Sequence, residues 1–201
     1  SLKSKLIKLI ERETNKKTKG KIVIKINSLT DEELIYHLSL ASQAGVEIKM
    51  IVRGICCLLP GIKGKTENIS IRSIVGRYLE HSRIYEFGKG NSEVMYISSA
   101  DFMTRNTERR VEIACPILDK EIRQYLNNYL DLCLKDTVKS RAISTNGHYE
   151  RLKANVEIDS QDLLMRTTKG SKQQLPIKES RHSKVIGVFD TIYHEKEKTK
   201  K

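Results

Sequence analysis

Apolar and polar positions along this chain fall into runs of two kinds. Over 21–27, "KIVIKIN", they alternate, as the two faces of a strand require. The next stretch, "SLTDEELIYHLSLASQAG", reads as a helix starting at Thr30, with acidic residues in its first turn and a stop at Gly45. "VEIKMIV" is a second strand, so 21–52 form a β-α-β unit, which demands a parallel pair. Strand-like runs follow at 71–75, 82–87, 93–98 and 110–115, the last ended by Pro116. In "LDKEIRQYLNNYLDLCLKD", Ile122, Leu126, Tyr129, Leu130 and Cys133 recur at helical spacing. The opening "SLKSKLIKLIERE" is an amphipathic helix with Leu2, Leu6, Leu9 and Ile10 on one face. Beyond 155 a short helix, "DSQDLLMRTT", gives way to polar sequence and a charged end, "HEKEKTKK", expected to be mobile. The predicted fold is α/β, one domain with a mixed β-sheet flanked by helices. Its parts are an N-terminal helix (1–19), a main domain (20–154) and a C-terminal extension (155–201).

A length of 201 residues suffices to bury a core. The longest apolar window, "MIVRGICCLLPGI", is too short to span a bilayer, and no secretory signal is visible. The chain starts without Met, as a piece of something longer would. A cytoplasmic location is expected, with peripheral membrane association as the alternative. Cys56, Cys57, Cys115 and Cys133 match neither a zinc spacing nor a disulfide framework, so reduced, buried thiols are expected.

The net charge of +12 favours a polyanionic partner. Its distribution sharpens this. Residues 50–116 hold seven of the 13 arginines and only three of the 24 lysines. Arginine offers a rigid fork that matches phosphate oxygens in pairs. Ion pairing with nearby acidic residues explains the clustering equally well, so composition alone leaves the choice open.

The chemistry concentrates in "YLEHSRIYEFGKGNSEVMYISSADFMTRNTERR" (78–110). Residues two apart on a strand share a face, so His81, Arg83 and Tyr85 are expected to point one way, with Glu80 and Ser82 behind. An imidazole can attack phosphorus or pass a proton to a leaving oxygen, and a guanidinium beside it can hold phosphoryl oxygens. Asp101 closes the strand-end run "SSAD", and "RNTERR" supplies Asn106, Arg109 and Arg110. Arg53 ends another strand and opens a loop whose Gly54, Gly61 and Gly64 admit close anion approach, without matching a P-loop or dinucleotide fingerprint. α/β sheets bind ligands at such strand ends. The same edge should therefore gather Arg53, His81, Arg83 and Arg110 as a phosphate site. His37, His148, His182 and His194 are expected to have no catalytic part, and no metal-ligand set is visible in this chain.

The runs "MIVRGICCLLPGIKGKTENISIRSIVGRYLEHSRIYEF" and "YISSADFMTRNTERRVEIACPI", with "KDTVKSR" beyond, resemble the C-terminal catalytic domain of the polyphosphate kinase family. The resemblance covers about 20–150; Phe102 and Thr104 depart from the family's usual Trp and Pro. It implies a phospholipase D-like fold, two such domains facing one site, and reversible transfer of the terminal phosphoryl group of ATP to inorganic polyphosphate. It further implies that Arg53 and Arg110 bind phosphates and that His81 is a catalytic histidine at the nucleotide. Arg83, Asp101, Asn106 and Glu112 would support these, with Asp101 or Glu112 orienting the imidazole. The phosphorylated histidine and the magnesium-linked residues would lie in preceding segments, so ATP/ADP and Mg2+ are implied but the ion's ligands are not in this chain. Expected partners are polyphosphate, an adenine nucleotide, the preceding catalytic domain and a possible homo-oligomer, with no specific nucleic acid. Two rival readings remain: a phospholipase D-type phosphodiesterase half-site, which predicts His-x-Lys where this chain has His81-Ser82-Arg83, and a non-enzymatic polyanion-binding module.

Overall fold

The computed structural model describes residues 1–152 and 154–170. The expected mobile end, with His182 and His194, lies outside the described residues. Ser1–Leu163 form one compact unit, and of the second, from Leu164, only the continuing helix to Gly170 is described.

The β-α-β unit forms as the pattern requires. Strand β1 (Lys21–Ile26), helix α2 (Glu32–Gln43) and strand β2 (Glu47–Val52) follow one another, α1 (Leu2–Thr14) having preceded them. The cap of α2 is Asp31, whose carboxylate accepts from the Leu34 amide at 3.1 Å. Gly45, at φ +92°, turns the chain into β2 through a conformation that a side chain would strain. Strand β3 (Ile69–Ile74) pairs parallel with β2, and β4 (Ile84–Phe87) runs antiparallel to β1. Strands β5 (Val94–Ser98) and β6 (Ala114–Pro116) extend that side. After helices α3 (Thr104–Glu108) and α4 (Lys120–Lys135), β7 (Ser140–Ile143) and β8 (Tyr149–Arg151) extend the other. The result is one mixed sheet in the order β6-β5-β4-β1-β2-β3-β7-β8. Helix α5 (Ser160–Gly170) ends the described chain.

Both faces are covered. Ile22, Ile24, Ile26, Ile48, Met50, Val52, Tyr85 and Phe87 form one core with Leu6 and Ile10 of α1 and Leu34 and Leu38 of α2. The N-terminal helix, expected as a separate segment, is thus part of the domain. On the other face Val23, Ile84 and Met95 pack against Leu126, Tyr129 and Leu130 of α4.

Three further expectations are corrected. The strand placed at 110–115 is only Ala114–Pro116, because 104–108 coil into α3. β6 is an edge strand, where a proline without an N–H is tolerated. β7 and β8 were not legible as strands because they are short and near the sheet's end, β7 being only partly buried and β8 exposed. The thiols are free but not uniformly buried: Cys133 is buried, Cys56 half-buried, and Cys57 and Cys115 exposed.

Candidate functional site

The topology gathers the sequence-predicted residues at one end of the sheet. Arg53 follows β2 and Asn27 follows β1 at their C-terminal ends. Because β4 is antiparallel to β1, Arg83, just before it, lies at that same end. β5 is antiparallel to β4 and ends there, delivering Asp101; β6 begins there, so its lead-in carries Arg110 and Glu112 to the same edge.

The strand expected to hold His81 begins only at Ile84. The chain leaves β1 at that point yet keeps one bond to β5, the Ser98 amide donating to Arg83 O at 3.0 Å. His81 therefore stands on a lead-in segment, exposed. It lines an open cavity of about 370 Å³ with Ser82, Arg83, Ile97, Tyr125 and Tyr129. Tyr85, expected beside it, is fully buried at the opposite face, its ring 5.2 Å from that of Phe102.

Arg83 does not present a free fork. Its Nε donates to Asp101 Oδ1 at 2.9 Å and its Nη2 to Asp101 Oδ2 at 3.1 Å. Asp101 Oδ1 also accepts from the Asn27 backbone amide at 2.7 Å and from Asn27 Nδ2 at 3.2 Å. Burial alone would raise the Asp101 carboxyl, but Arg83 and Asn27 outweigh it and hold the group below its ordinary value. The expectation that Asp101 or Glu112 orients the imidazole changes accordingly. It is Arg83 Nη2 that lies beside His81 Nε2, at 3.4 Å, and Asp101 acts one step behind, on Arg83.

Glu112 and Asn106 brace a loop. Glu112 accepts from Asn106 Nδ2 at 2.6 Å and from Ser99 Oγ, and Ser99 Oγ accepts from the Ile113 amide at 3.1 Å. The Glu112 carboxyl is held low by Ser99 first, then Asn106, with Arg110 and Arg83 adding attraction. Arg110 is exposed, on the lead-in to β6 two residues before Glu112.

Arg53 is held by its backbone: its amide donates to Ile26 O at 3.2 Å and its carbonyl accepts from Ser73 Oγ at 2.9 Å. Its Nη1 is buried without a hydrogen-bond partner among the described residues, and Arg53 lines a cavity with Lys139, Arg141 and Tyr149. Arg53 also lines a depression along 74–80.

Sequence reasoning missed a buried polar cluster beneath the site. Lys25, 1 % exposed, pairs with Glu80 at 3.1 Å and lies over the Tyr129 ring. Tyr129 OH donates to Glu80 Oε2 and lies 3.1 Å from Ser82 Oγ. The available signal was Lys25 itself, a charge inside an apolar run that both faces of the sheet bury.

Among the described residues no group of three or more His, Cys, Asp or Glu could hold a metal ion. Asp101 has both oxygens engaged by Arg83. These residues do not fit a magnesium site.

Comparison with known proteins places this geometry. The fold is phospholipase D-like: Nuc of Salmonella typhimurium, a phospholipase D family member, superposes over 72% of this chain and 91% of its own with TM-score 0.53, at 14% identity, a likeness of fold alone. The crystal structure of polyphosphate kinase from Porphyromonas gingivalis is nearer, with TM-score 0.77 and 38% identity over 83% of this chain and 26% of that one. The profile of the family described as "Polyphosphate kinase C-terminal domain 2" matches residues 1–161, and the chain belongs to that family. Polyphosphate kinase of Staphylococcus haemolyticus is 54% identical over 147 residues, 73% of this chain and 20% of its own length. That of Exiguobacterium sibiricum is 44% identical over 180 residues, 88% of this chain and 25% of its own. The chain thus spans a fifth to a quarter of these curated relatives. Among the described residues no helix is long and apolar enough to cross a membrane.

Proposed function

We propose that these residues form the nucleotide- and phosphate-gripping half of an ATP–polyphosphate phosphotransferase site, completed by a preceding catalytic domain in a longer polypeptide. The observation that carries this reading is His81: an exposed imidazole at the lip of an open groove, beside an arginine whose charge is already matched by Asp101.

In the reaction, the bond between the terminal phosphorus of ATP and its bridging oxygen breaks, a bond to the end of polyphosphate forms, and ADP leaves. Such transfers depend on positioning and on stabilising charge at the equatorial oxygens. Arg53 brings a buried, unpartnered Nη1 and Arg110 a solvent-facing cation. His81 passes a proton at a phosphoryl or leaving oxygen, or assists a phosphohistidine formed in the other domain.

The test uses the full-length enzyme with His81→Ala and, separately, Arg53→Ala. Loss of ATP-dependent polymer synthesis with nucleotide affinity retained is expected for His81→Ala, and weakened nucleotide binding for Arg53→Ala. Full synthesis by His81→Ala overturns the reading. Residues 1–201 alone should bind tripolyphosphate weakly and make no polymer; robust synthesis by them would contradict the half-site.

A further inference from the structure

Residues 75–83 carry the chain from β3 to His81 without regular secondary structure, and Val75, Tyr78 and Leu79 in this stretch are exposed. A segment of that kind would leave the histidine at its end poorly placed unless something outside the sheet held it. Lys25 and Tyr129 hold its Glu80, and a side chain of α5 holds the stretch before that. Gln161, in the first turn of α5, is 5 % exposed. Its Oε1 accepts from the Tyr78 amide at 3.0 Å, and its Nε2 donates to Tyr78 O at 2.8 Å and to Glu80 Oε1 at 2.9 Å. The amide thus satisfies both backbone groups of Tyr78, as a neighbouring strand would.

Each end of this clamp is anchored. Asp136 Oδ2 accepts from Ser160 N at 2.8 Å and Ser160 Oγ at 2.6 Å, while its Oδ1 takes the amides of Lys139 and Ser140, so the start of α5 is tied to the α4–β7 junction. Glu80 passes the restraint on to Lys25 and Tyr129. Gly76 supplies the room: a Cβ there would run into Gln161 Oε1.

We propose that Gln161 is a positioning residue for phosphoryl transfer, its amide standing in for an absent strand beside Tyr78 and so fixing 76–80 and the place of His81. This rests on the reading of His81 as a group at the reacting centre. A displacement of about 1 Å can cost on the order of a hundredfold in rate, so a clamp on the segment before the imidazole has leverage.

The experiment compares Gln161→Ala, Gly76→Ala and Gln161→Glu in the full-length enzyme. It reads hydrogen exchange of the 76–83 amides, kcat and KM for ATP, and the pH profile. Gln161→Ala should speed exchange across 76–83, leave β1 and β2 protected, and lower kcat roughly ten- to a hundredfold with KM little changed. Gly76→Ala displaces the Gln161 amide while leaving the Asp136 anchor in place, so it should give the same pattern and keeps the test decisive if Gln161→Ala fails to fold. Gln161→Glu puts a second carboxylate against Glu80, whose other neighbours are Lys25 and Tyr129. The pair can share a proton, so its activity should recover relative to wild type as pH falls, which Gln161→Ala should not show. Unchanged kcat despite faster exchange overturns the proposal, as does lost kcat with exchange across 76–83 unaltered. If His81→Ala itself keeps synthesis, the catalytic reading fails, while the exchange data still decide whether Gln161 holds the segment.

Discussion

Arg83 and Asp101 meet as a two-pronged ion pair, Nε on Oδ1 at 2.9 Å and Nη2 on Oδ2 at 3.1 Å, with both side chains largely buried. The fork that composition offered to phosphate is spent inside the protein. The same Nη2 also lies 3.4 Å from His81 Nε2.

Truncating one partner strands the other. Arg83→Ala should destabilise the fold by about 3 kcal/mol, because Asp101 keeps its charge with only Asn27 to answer it. Arg83→Lys should recover less than half of that loss, since a lysine cannot span both oxygens. Urea unfolding followed by circular dichroism checks both values.

Acid should unfold the domain through three carboxylates. Burial opposes ionisation at Asp31, Asp101 and Asp136, but bonds outweigh it: Leu34 N and Lys3 at the first, Arg83 and Asn27 at the second, Ser160 and the Ser140 amide at the third. All three are held below the ordinary value of 3.8. A depressed folded value means the unfolded chain takes up protons first. The stabilisation is therefore complete above about pH 4 and drains away as pH falls further. Glu86 acts in the opposite sense, because its burial outweighs Lys21 and raises it. The slope of unfolding free energy between about pH 4 and pH 2 should be positive, and Asp136→Asn should flatten it.

Phe102 is a core residue, fully buried against Tyr85. Phe102→Ala should cost about 3–5 kcal/mol by leaving a cavity. Phe102→Trp should be felt as overpacking, because the Tyr85 hydroxyl beneath is already tied to Ala100 O. Thermal unfolding midpoints rank the two.

Thiol labelling should separate the cysteines. Cys57 and Cys115 are exposed and should react with an aromatic disulfide reagent within minutes. Cys56, half-buried and raised by that burial, should lag. Cys133, whose thiol burial pushes up to about 11, should react only on unfolding. Peptide mass spectrometry after timed quenching reads the order.

The strands β1, β2, β4 and β5 and the helices α1, α2 and α4 were legible because each carries its own periodicity, which is a property of consecutive residues. The cationic edge was legible for a related reason. Arginine, histidine and glycine crowd the ends of those runs, and antiparallel pairing then brings the ends together. What no local pattern carries is pairing between residues far apart in sequence. Whether Arg83 meets a phosphate or Asp101, 18 positions away, is decided by where β4 and β5 lie side by side. Whether Gln161 is a helix surface residue or the partner of Tyr78, 83 positions earlier, is decided by Asp136 capping α5. The sequence by itself determined the alternation of elements and the crowding of cationic residues at their ends. Only the tertiary structure decided which charges are spent holding the site and which are left for substrate, because a hydrogen bond is set by distance in space and not by spacing along the chain.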